Sequence, residues 1–268
     1  MVFERISRGI ELIKLGLGII NDDKFLLAFP IISGSLIVLM FMLMFVPIFV
    51  LGMWGIFNPI ILVPLIFGIY FMIHFIVIFF NVAIIHCATI RLNGGTPTFG
   101  DGINAAKENI KSILAWAVIS ATVGLILQAI SQKAGFAGKI VVWIIGAAWN
   151  IATFFVLPVL IYEKPGAWGS MKKSLALFRA TWGETLTATA GMGIIFVLLA
   201  LPAILLLGVG IVLFNFTIFL VCLMLVIIYC MGLAVVATTV DSVLVAALYR
   251  YARTGRLDKQ IPQWVVRN

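Results

Sequence analysis

Charged residues are scarce in this sequence. They make up 10% of its 268 positions, whereas a soluble globular domain carries about 25%. Apolar residues reach 63%, against roughly 45–50% in soluble domains. A folded soluble protein of this size needs a polar surface that so few charges cannot supply. The shortage excludes a soluble enzyme and a disordered chain, and it predicts an integral membrane protein that crosses the bilayer several times.

Cysteine and catalytic motifs are lacking as well. The three cysteines lie in apolar runs without the CxxC spacing of a metal or redox site, so we expect them to be small core residues. The sequence has no GxSxG, GxxxxGK[ST] or HExxH motif. His74 and His86 stand twelve residues apart without a cluster of carboxylates or thiolates, and His74 is expected to hydrogen-bond between helices. We therefore expect no enzymatic activity, no cofactor and no metal site.

Six apolar stretches are long enough to cross a bilayer, which takes ~20 helical residues. They cover about 25–51, 59–90, 112–130, 140–162, 185–208 and 211–249. Prolines lie in or beside several of them, and each is expected to kink its helix or mark its end. The last stretch has 39 residues, or ~58 Å as one helix, nearly twice the ~30 Å hydrocarbon core. It must tilt, bend near Gly232, extend into the cytoplasm or split into two spans.

The positions of the basic residues indicate the orientation. With six spans, all of the 18 lysines and arginines except Lys133 and Lys139 fall on one side. Basic loops face the cytoplasm, so the sequence predicts a multi-pass protein of the cell membrane with both termini cytoplasmic. A seventh span would export the basic C-terminal residues, so six spans are favoured. The expected partners are anionic lipid headgroups and not nucleic acid.

An amphipathic segment precedes each pair of spans. Apolar residues recur three and four positions apart within 3–20, 99–113 and 168–182, which is the spacing of one helix face. In the third segment this face comprises Trp168, Met171, Leu175, Phe178 and Trp182. The sequence thus predicts a single membrane domain of three pseudo-repeats, each an amphipathic helix followed by a transmembrane hairpin. They cover 1–92, 93–163 and 164–252, and a cytoplasmic tail covers 253–268.

Two roles fit the amphipathic helices. They can pack on the cytoplasmic ends of the spans as a structural collar, which we favour, or lie in the headgroup layer and bind anionic lipid. In the second role, Lys172, Lys173 and Arg179 are the lipid-facing basic residues. The two roles are compatible with each other.

Three short motifs resemble an uncharacterised family of prokaryotic six-span membrane proteins. They are 22–30 (DDKFLLAFP), the amphipathic helix at 168–183 and the closing 247–252 (ALYRYA). The resemblance implies the six-span architecture and a bacterial or archaeal membrane, and it implies no activity. The order of amphipathic helix, charged turn and span is also similar, more faintly, to the order in sulfate-permease-like membrane proteins. No residue role follows from this similarity.

Each even-numbered span carries one polar residue at a similar distance before a glycine-containing break. These residues are Asn81, Asn150 and Asp241, which stand 13 to 16 positions before a glycine. Thr153 lies one turn from Asn150, and Thr238 one turn before Asp241. A bundle with three-fold pseudo-symmetry would bring these groups together as the polar lining of an ion or solute path. For the two asparagines we favour the alternative, hydrogen bonding between helices.

Asp241 is the strongest functional candidate, because an ionised carboxylate at the bilayer centre costs ~2.5–3.5 kcal/mol. If it lies deep in the bilayer, it needs a basic partner from another helix, and Arg91 and His86 are nearest by register. If it lies at the cytoplasmic mouth, water is sufficient to solvate its charge.

The sequence therefore predicts an all-α membrane bundle of six transmembrane helices, arranged as three hairpins. The function that we expect is a channel or transporter-like protein for small ions or solutes, possible as a homo-oligomer. The alternative is a membrane-organising or assembly protein that binds anionic lipid or a partner through its basic cytoplasmic collar.

Overall fold

A computed structural model describes residues 14–53, 59–213 and 215–254, with side chains except at 46–48, 50–62, 182–184 and 186–188. The predicted segment 3–13, the Trp182 side chain and the tail beyond Thr254 lie outside these described residues. Helix α1 covers residues 14–22, and a 3-10 turn, Lys24–Leu27, follows it. The other helices are α2 (Ala28–Met53), α3 (Pro59–Leu92), α4 (Phe99–Glu108), α5 (Ile110–Lys133), α6 (Phe136–Thr153), α7 (Val156–Tyr162), α8 (Ala167–Ala180), α9 (Trp182–Val212) and α10 (Phe216–Thr254).

The prediction of an all-α bundle with six spans is confirmed. Throughout the described residues the structure is helical, without strands. Six segments are long and apolar enough to cross a membrane: Lys24–Phe45, Val63–Leu92, Ile110–Lys133, Phe136–Tyr162, Thr189–Val212 and Phe216–Thr254. In the described chain, a short helix followed by two long spans recurs three times.

The sixth span is one continuous helix of 39 residues, so it does not split into two spans. Residues 242–249 of this helix are all buried, because α10 packs there against α3, α7, α8 and the 3-10 turn. Gly16 of α1 also approaches Val240 closely enough that an added Cβ would lie 2.9 Å from a Val240 methyl. Protein rather than lipid therefore surrounds the last turns of this long helix.

The fourth span is interrupted between α6 and α7, at Phe154 and Phe155. Pro158 explains the position, because a proline ring clashes with the carbonyl four residues earlier in a helix, here that of Phe154. The sequence predicts a kink or an end at this proline, and the structure has a break. The freed backbone N–H of Phe155 donates to Ser174 Oγ of α8 at 2.9 Å, so the interruption is satisfied from another element.

The helices α4 and α8 pack at the end of the bundle where α3 and α10 finish. We call it the basic end, because Arg91 and Arg253 lie there. Gly94 and Gly166 precede the two short helices with φ of 82° and 81°. Glycine adopts this conformation without steric cost, so the glycine-containing breaks in the sequence are turns that lead into α4 and α8.

The buried core is concentrated towards the basic end. It includes 82–85 of α3, 158–161 of α7 and 242–249 of α10. Towards the opposite end, apolar side chains of α2, α6 and α9 face outward, and Phe136 and Trp143 of α6 are among the most exposed. Lipid chains solvate such side chains, so the low polar content of the sequence is compatible with this exposed surface.

Candidate functional site

A cavity of about 520 Å³ lies inside the bundle, bounded by α3, α5, α6, α7, α9 and α10. This volume falls within the ~300–1,000 Å³ typical of small-ligand sites. The indoles of Trp116 and Trp149 form part of its wall and stack with their centroids 5.8 Å apart. Five helices supply its polar lining, which comprises His74, Asn81, Ser120, Asn150, Thr153, Thr189, Asp241 and Ser242.

The cavity lies well inside the bundle. Asp241 stands nine residues before Arg250 on α10, and Asn81 stands ten residues before Arg91 on α3. At ~1.5 Å per helical residue, both lie ~13–15 Å from the basic end. Ser120 lies at a similar distance from the start of α5. Three helices therefore place Asn81, Ser120 and Asp241 at one depth, below the mouth of the bundle.

The structure brings together four of the five residues that the sequence predicts as polar lining. Asn81, Asn150, Thr153 and Asp241 all contribute to the cavity. The second, fourth and sixth spans thus each contribute a polar group to one cavity, in which Asn81 is half-buried and Asn150 and Asp241 are exposed. Thr238 lies elsewhere, in an apolar groove formed by α2, α3 and α10.

The amide side chains of Asn81 and Asn150 form no hydrogen bond with any residue that the structure describes. Hydrogen bonding between helices, the interpretation favoured from the sequence, therefore has no support in this part of the chain. Thr153 does have a partner, since its hydroxyl donates to the Trp149 carbonyl of the same helix at 2.8 Å. Asn81 is half-buried and Asn150 is exposed, so water or a ligand in the cavity has to satisfy their amide groups.

Asp241 is also unpaired within the described residues. Arg91, one of its predicted partners, forms a bidentate ion pair with Asp23 beside the 3-10 turn. His86, the other, has Nδ1 3.3 Å from the hydroxyl of Tyr162. The prediction that either would neutralise Asp241 is wrong, because each has a nearer partner at the basic end. The carboxylate therefore needs water, a cation or a proton.

His74 adds a nitrogen to the lining. Its Nδ1 lies 2.8 Å from the Tyr70 carbonyl of the same helix, so the prediction of a bond between helices is wrong. A carbonyl oxygen only accepts, so Nδ1 carries the hydrogen and the neutral imidazole keeps a lone pair on Nε2. His74 can then accept a hydrogen bond at Nε2.

Ser120, Thr189 and Ser242 line the cavity without being singled out by the sequence. Small hydroxyl residues are common in membrane helices, where they serve close packing as often as polar sites. Ser242 could have been found because it is adjacent to Asp241. Ser120 has no such neighbour, and only the arrangement of α5 beside α3 shows that it borders a cavity.

The electrostatic character of the cavity is negative. The helix α6 has 18 residues and ends at Thr153, on the cavity wall, so its carbonyl end contributes a partial charge of about −0.5. Asp241 adds a full negative charge when ionised, and the described lining has no lysine or arginine. Such a site favours a cation or a hydrogen-bond donor. Within the described residues, no group of three or more His, Cys, Asp or Glu side chains could hold a metal ion.

A second polar cluster surrounds Glu163, just after α7 at the basic end. Its carboxylate accepts a hydrogen bond from the Tyr249 hydroxyl at 2.9 Å, pairs with Lys173 and lies 4.0 Å from Arg253 Nε. Burial raises the pKa of Glu163, but Lys173 and Tyr249 outweigh burial and hold this pKa below its ordinary value. Lys173, predicted to face lipid, thus forms an ion pair within the protein.

The face that α8 turns to the protein overlaps only in part with the one that the sequence predicts. Phe178 of the predicted face is buried, but Ser170 and Ser174 are buried as well, whereas Trp168 is 57% exposed. Lys172 and Arg179 are exposed on the same side of the helix as Trp168. The helix therefore packs on α6 and α7 through one side and presents a tryptophan and two basic residues on the other.

Residues 59–259 match the family of unknown function DUF6159. The chain belongs to this family. The resemblance to an uncharacterised membrane family is thereby confirmed, although its first motif, 22–30, precedes the matched range. Every residue that lines the cavity lies within the DUF6159 match, whereas α1 and α2 lie before it. No curated protein and no solved structure matches the chain.

Proposed function

We propose that this protein is a transporter-like membrane protein that binds a small cation, or a solute with hydrogen-bond donors, in the polar cavity. The observation that carries the proposal is the convergence of unpaired Asn81, Asn150 and Asp241 on one cavity. In this proposal Asp241 supplies the charge that attracts the solute, and the amide oxygens complete its coordination. The bound cation in turn offsets the cost of a carboxylate in the bundle.

The interrupted fourth span favours a transporter. Transporters often form their solute sites at discontinuous membrane helices, where carbonyls freed at a helix end face the bound ion. Here α6 ends at Thr153 on the cavity wall, and the break at Phe154 and Phe155 follows directly. The carbonyl end of α6 and the Asp241 carboxylate would both stabilise a cation at this position.

Asp241→Asn tests this proposal, because the substitution removes the charge and nearly keeps the shape. Uptake of potassium, sodium and tetramethylammonium is measured in proteoliposomes, beside thermal stability. We expect uptake of the transported cation to fall about tenfold or more, since a charged hydrogen bond contributes ~1.5–3 kcal/mol. Stability should be kept, because no described residue loses a partner.

Asp22→Asn is the matched control, because Asp22 is an exposed carboxylate outside the cavity. It should leave both uptake and stability unchanged. Unchanged uptake in Asp241→Asn, together with a clear loss of thermal stability, would refute the proposal and assign Asp241 a structural role.

We further propose that the protein lies in the cell membrane with both termini in the cytoplasm, as the distribution of basic residues indicates. Reporter fusions after Asn268 and within the turn at Ala134 should then report opposite sides of the membrane. Reporters on the same side would contradict this topology.

The alternative function, a membrane-organising protein, is favoured by the outward side of α8. Trp168, Lys172 and Arg179 form a surface suited to the headgroup layer, with ~1 kcal/mol of attraction to anionic lipid for each basic residue. The double variant Lys172→Gln and Arg179→Gln should lower the enrichment of anionic lipid that co-purifies with the protein. Under the transporter proposal it should leave cation uptake unchanged, whereas a scaffold would show no uptake in either form.

A further inference from the structure

An apolar groove of about 560 Å³ lies beside the cavity, formed by α2, α3 and α10. Its α2 side lies within 30–42, and its α10 side within 231–238. Small residues at 33–35 and Ala234 leave room between the helices. Leu39, Met42 and Met231 on its rim are more than half exposed. The groove is therefore open sideways to the lipid chains that surround the bundle.

The groove and the cavity are adjacent to each other. Val77 and Asn81 of α3 line both spaces. On α10, Thr238 lines the groove, while Asp241, one helical turn later, lines the cavity. An elongated molecule could therefore lie with an apolar chain in the groove and a polar head beside Asp241.

We propose that the two spaces together bind a single-chain cationic amphiphile, which is an alkyl or acyl chain with an amine or quaternary ammonium head. Charge complementarity selects the head, because Asp241 is unpaired in the described chain and the lining has no lysine or arginine. The lateral opening favours an alkyl or acyl chain, because the molecules next to the opening are lipids. This inference rests on the proposed function, since it takes the cavity as the solute site, and it adds the substrate class and a route from the bilayer.

The head rather than the chain must determine the selectivity. An alkyl chain gains little when it moves from lipid into an apolar groove, because lipid tails are equally apolar. The groove therefore orients the molecule, and the charged head next to Asp241 supplies the preference. An anionic head on the same chain should be excluded, and a short cation without a chain should bind in the cavity alone.

The test uses dodecylamine with a photoreactive diazirine in its chain, added to the full-length protein in phosphatidylcholine nanodiscs. Dodecyl sulfate with the same diazirine is the anionic counterpart. Mass spectrometry should show labelling within 30–42 and 231–238 that is about tenfold stronger for the amine, and Asp241→Asn should abolish this preference. Equal labelling by the two probes in the unmodified protein would overturn the inference.

Gly34→Leu tests the groove itself. A Cβ at Gly34 would meet no atom within 4 Å, so a leucine can extend into the groove without a clash with the backbone. Gly146→Leu is the control, because Gly146 of α6 has equally free surroundings and lies outside both spaces. Gly34→Leu should strongly lower amine labelling, and Gly146→Leu should not. Full labelling in Gly34→Leu would overturn the inference.

Tetramethylammonium uptake separates this inference from the proposed function, because this cation has no chain to place in the groove. If its uptake depends on Asp241 while amine labelling is insensitive to Gly34→Leu, the cavity binds small cations and the amphiphile inference fails alone. If neither uptake nor labelling depends on Asp241, both fail.

Discussion

The hydrogen bond at the break in the fourth span can be tested directly. Ser174 Oγ accepts from the Phe155 N–H at 2.9 Å, and both residues are 0% exposed. Ser174→Ala removes the acceptor and leaves a buried N–H without a partner, which costs ~1–3 kcal/mol. Each kcal/mol lowers the Tm of a chain of comparable length by ~2–4 °C, so we expect a fall of about 2–12 °C.

Ser170→Ala is a closely matched control. Ser170 lies one turn earlier on α8 and is also 0% exposed. Its hydroxyl donates to the Gly166 carbonyl at 2.8 Å, and the Ser170 N–H already donates to the same carbonyl at 2.9 Å. Removing the hydroxyl therefore leaves no backbone group unsatisfied. We expect Ser170→Ala to change the Tm much less than Ser174→Ala.

A thiol-reactive dye can report unfolding during heating in detergent, because Cys87 and Cys222 are buried in the folded protein. Their reaction with the dye should begin at lower temperature in Ser174→Ala than in Ser170→Ala. Equal transitions for the two variants would refute the reasoning, since the stability would then not depend on the acceptor that Ser174 supplies to the break.

Two further variants test packing and charge at the basic end. The partners that lower the pKa of Glu163 stabilise the protein above its unfolded pKa of ~4.3, and this stability is lost as the pH falls through the lowered pKa. Glu163→Gln should remove this loss below about pH 4 in a series of Tm measurements, and an unchanged pH profile would contradict the assignment. Gly102→Ala places a Cβ 2.7 Å from Phe29 and 2.9 Å from Cys87, so we expect ~1–3 kcal/mol of destabilisation. Gly100→Ala meets nothing closer than 3.7 Å and should be neutral, so equal effects would show that packing at Gly102 is not tight.

The spans could be predicted from the sequence because each must be long enough to cross the hydrocarbon core of the bilayer. A helix must bury ~20 apolar residues to cross the hydrocarbon, so runs of apolar residues show each span without knowledge of its neighbours. The convergence of Asn81, Asn150 and Asp241 on one cavity was also foreseeable, because each stands at a similar distance before a glycine in the sequence. Register along a helix and the turn that ends it are both local properties of sequence.

The partners of charged groups could not be predicted in the same way. Arg91 was one of two candidate partners for Asp241 by register, yet it pairs with Asp23, 68 residues away in sequence. Which carboxylate is nearer depends on how the 3-10 turn packs against the end of α3, and no periodicity in the sequence contains this information. Asp241 consequently remains without a partner among the described residues, and its isolation is the main argument for a bound cation.

The face of α8 shows why hydrophobic patterns lose predictive power at a membrane surface. In water, Trp168 would be expected inside and the serines outside. Next to lipid, an apolar side chain gains little from burial in protein, whereas a buried backbone N–H without a partner costs ~1–3 kcal/mol. The break in the fourth span leaves such an N–H, and Ser174 satisfies it from the buried side of α8.

This arrangement makes α8 a physical connection between the basic end of the bundle and the cavity. Its inner side holds the Phe155 N–H, directly after the cavity residues Thr153 and Phe154. Lys173 of the same helix pairs with Glu163, at the other end of α7. The segment α7 is therefore fixed to α8 at both of its ends. A displacement of α8 against the headgroup layer would consequently move the break, and with it the carbonyl end of α6 that borders the proposed cation site.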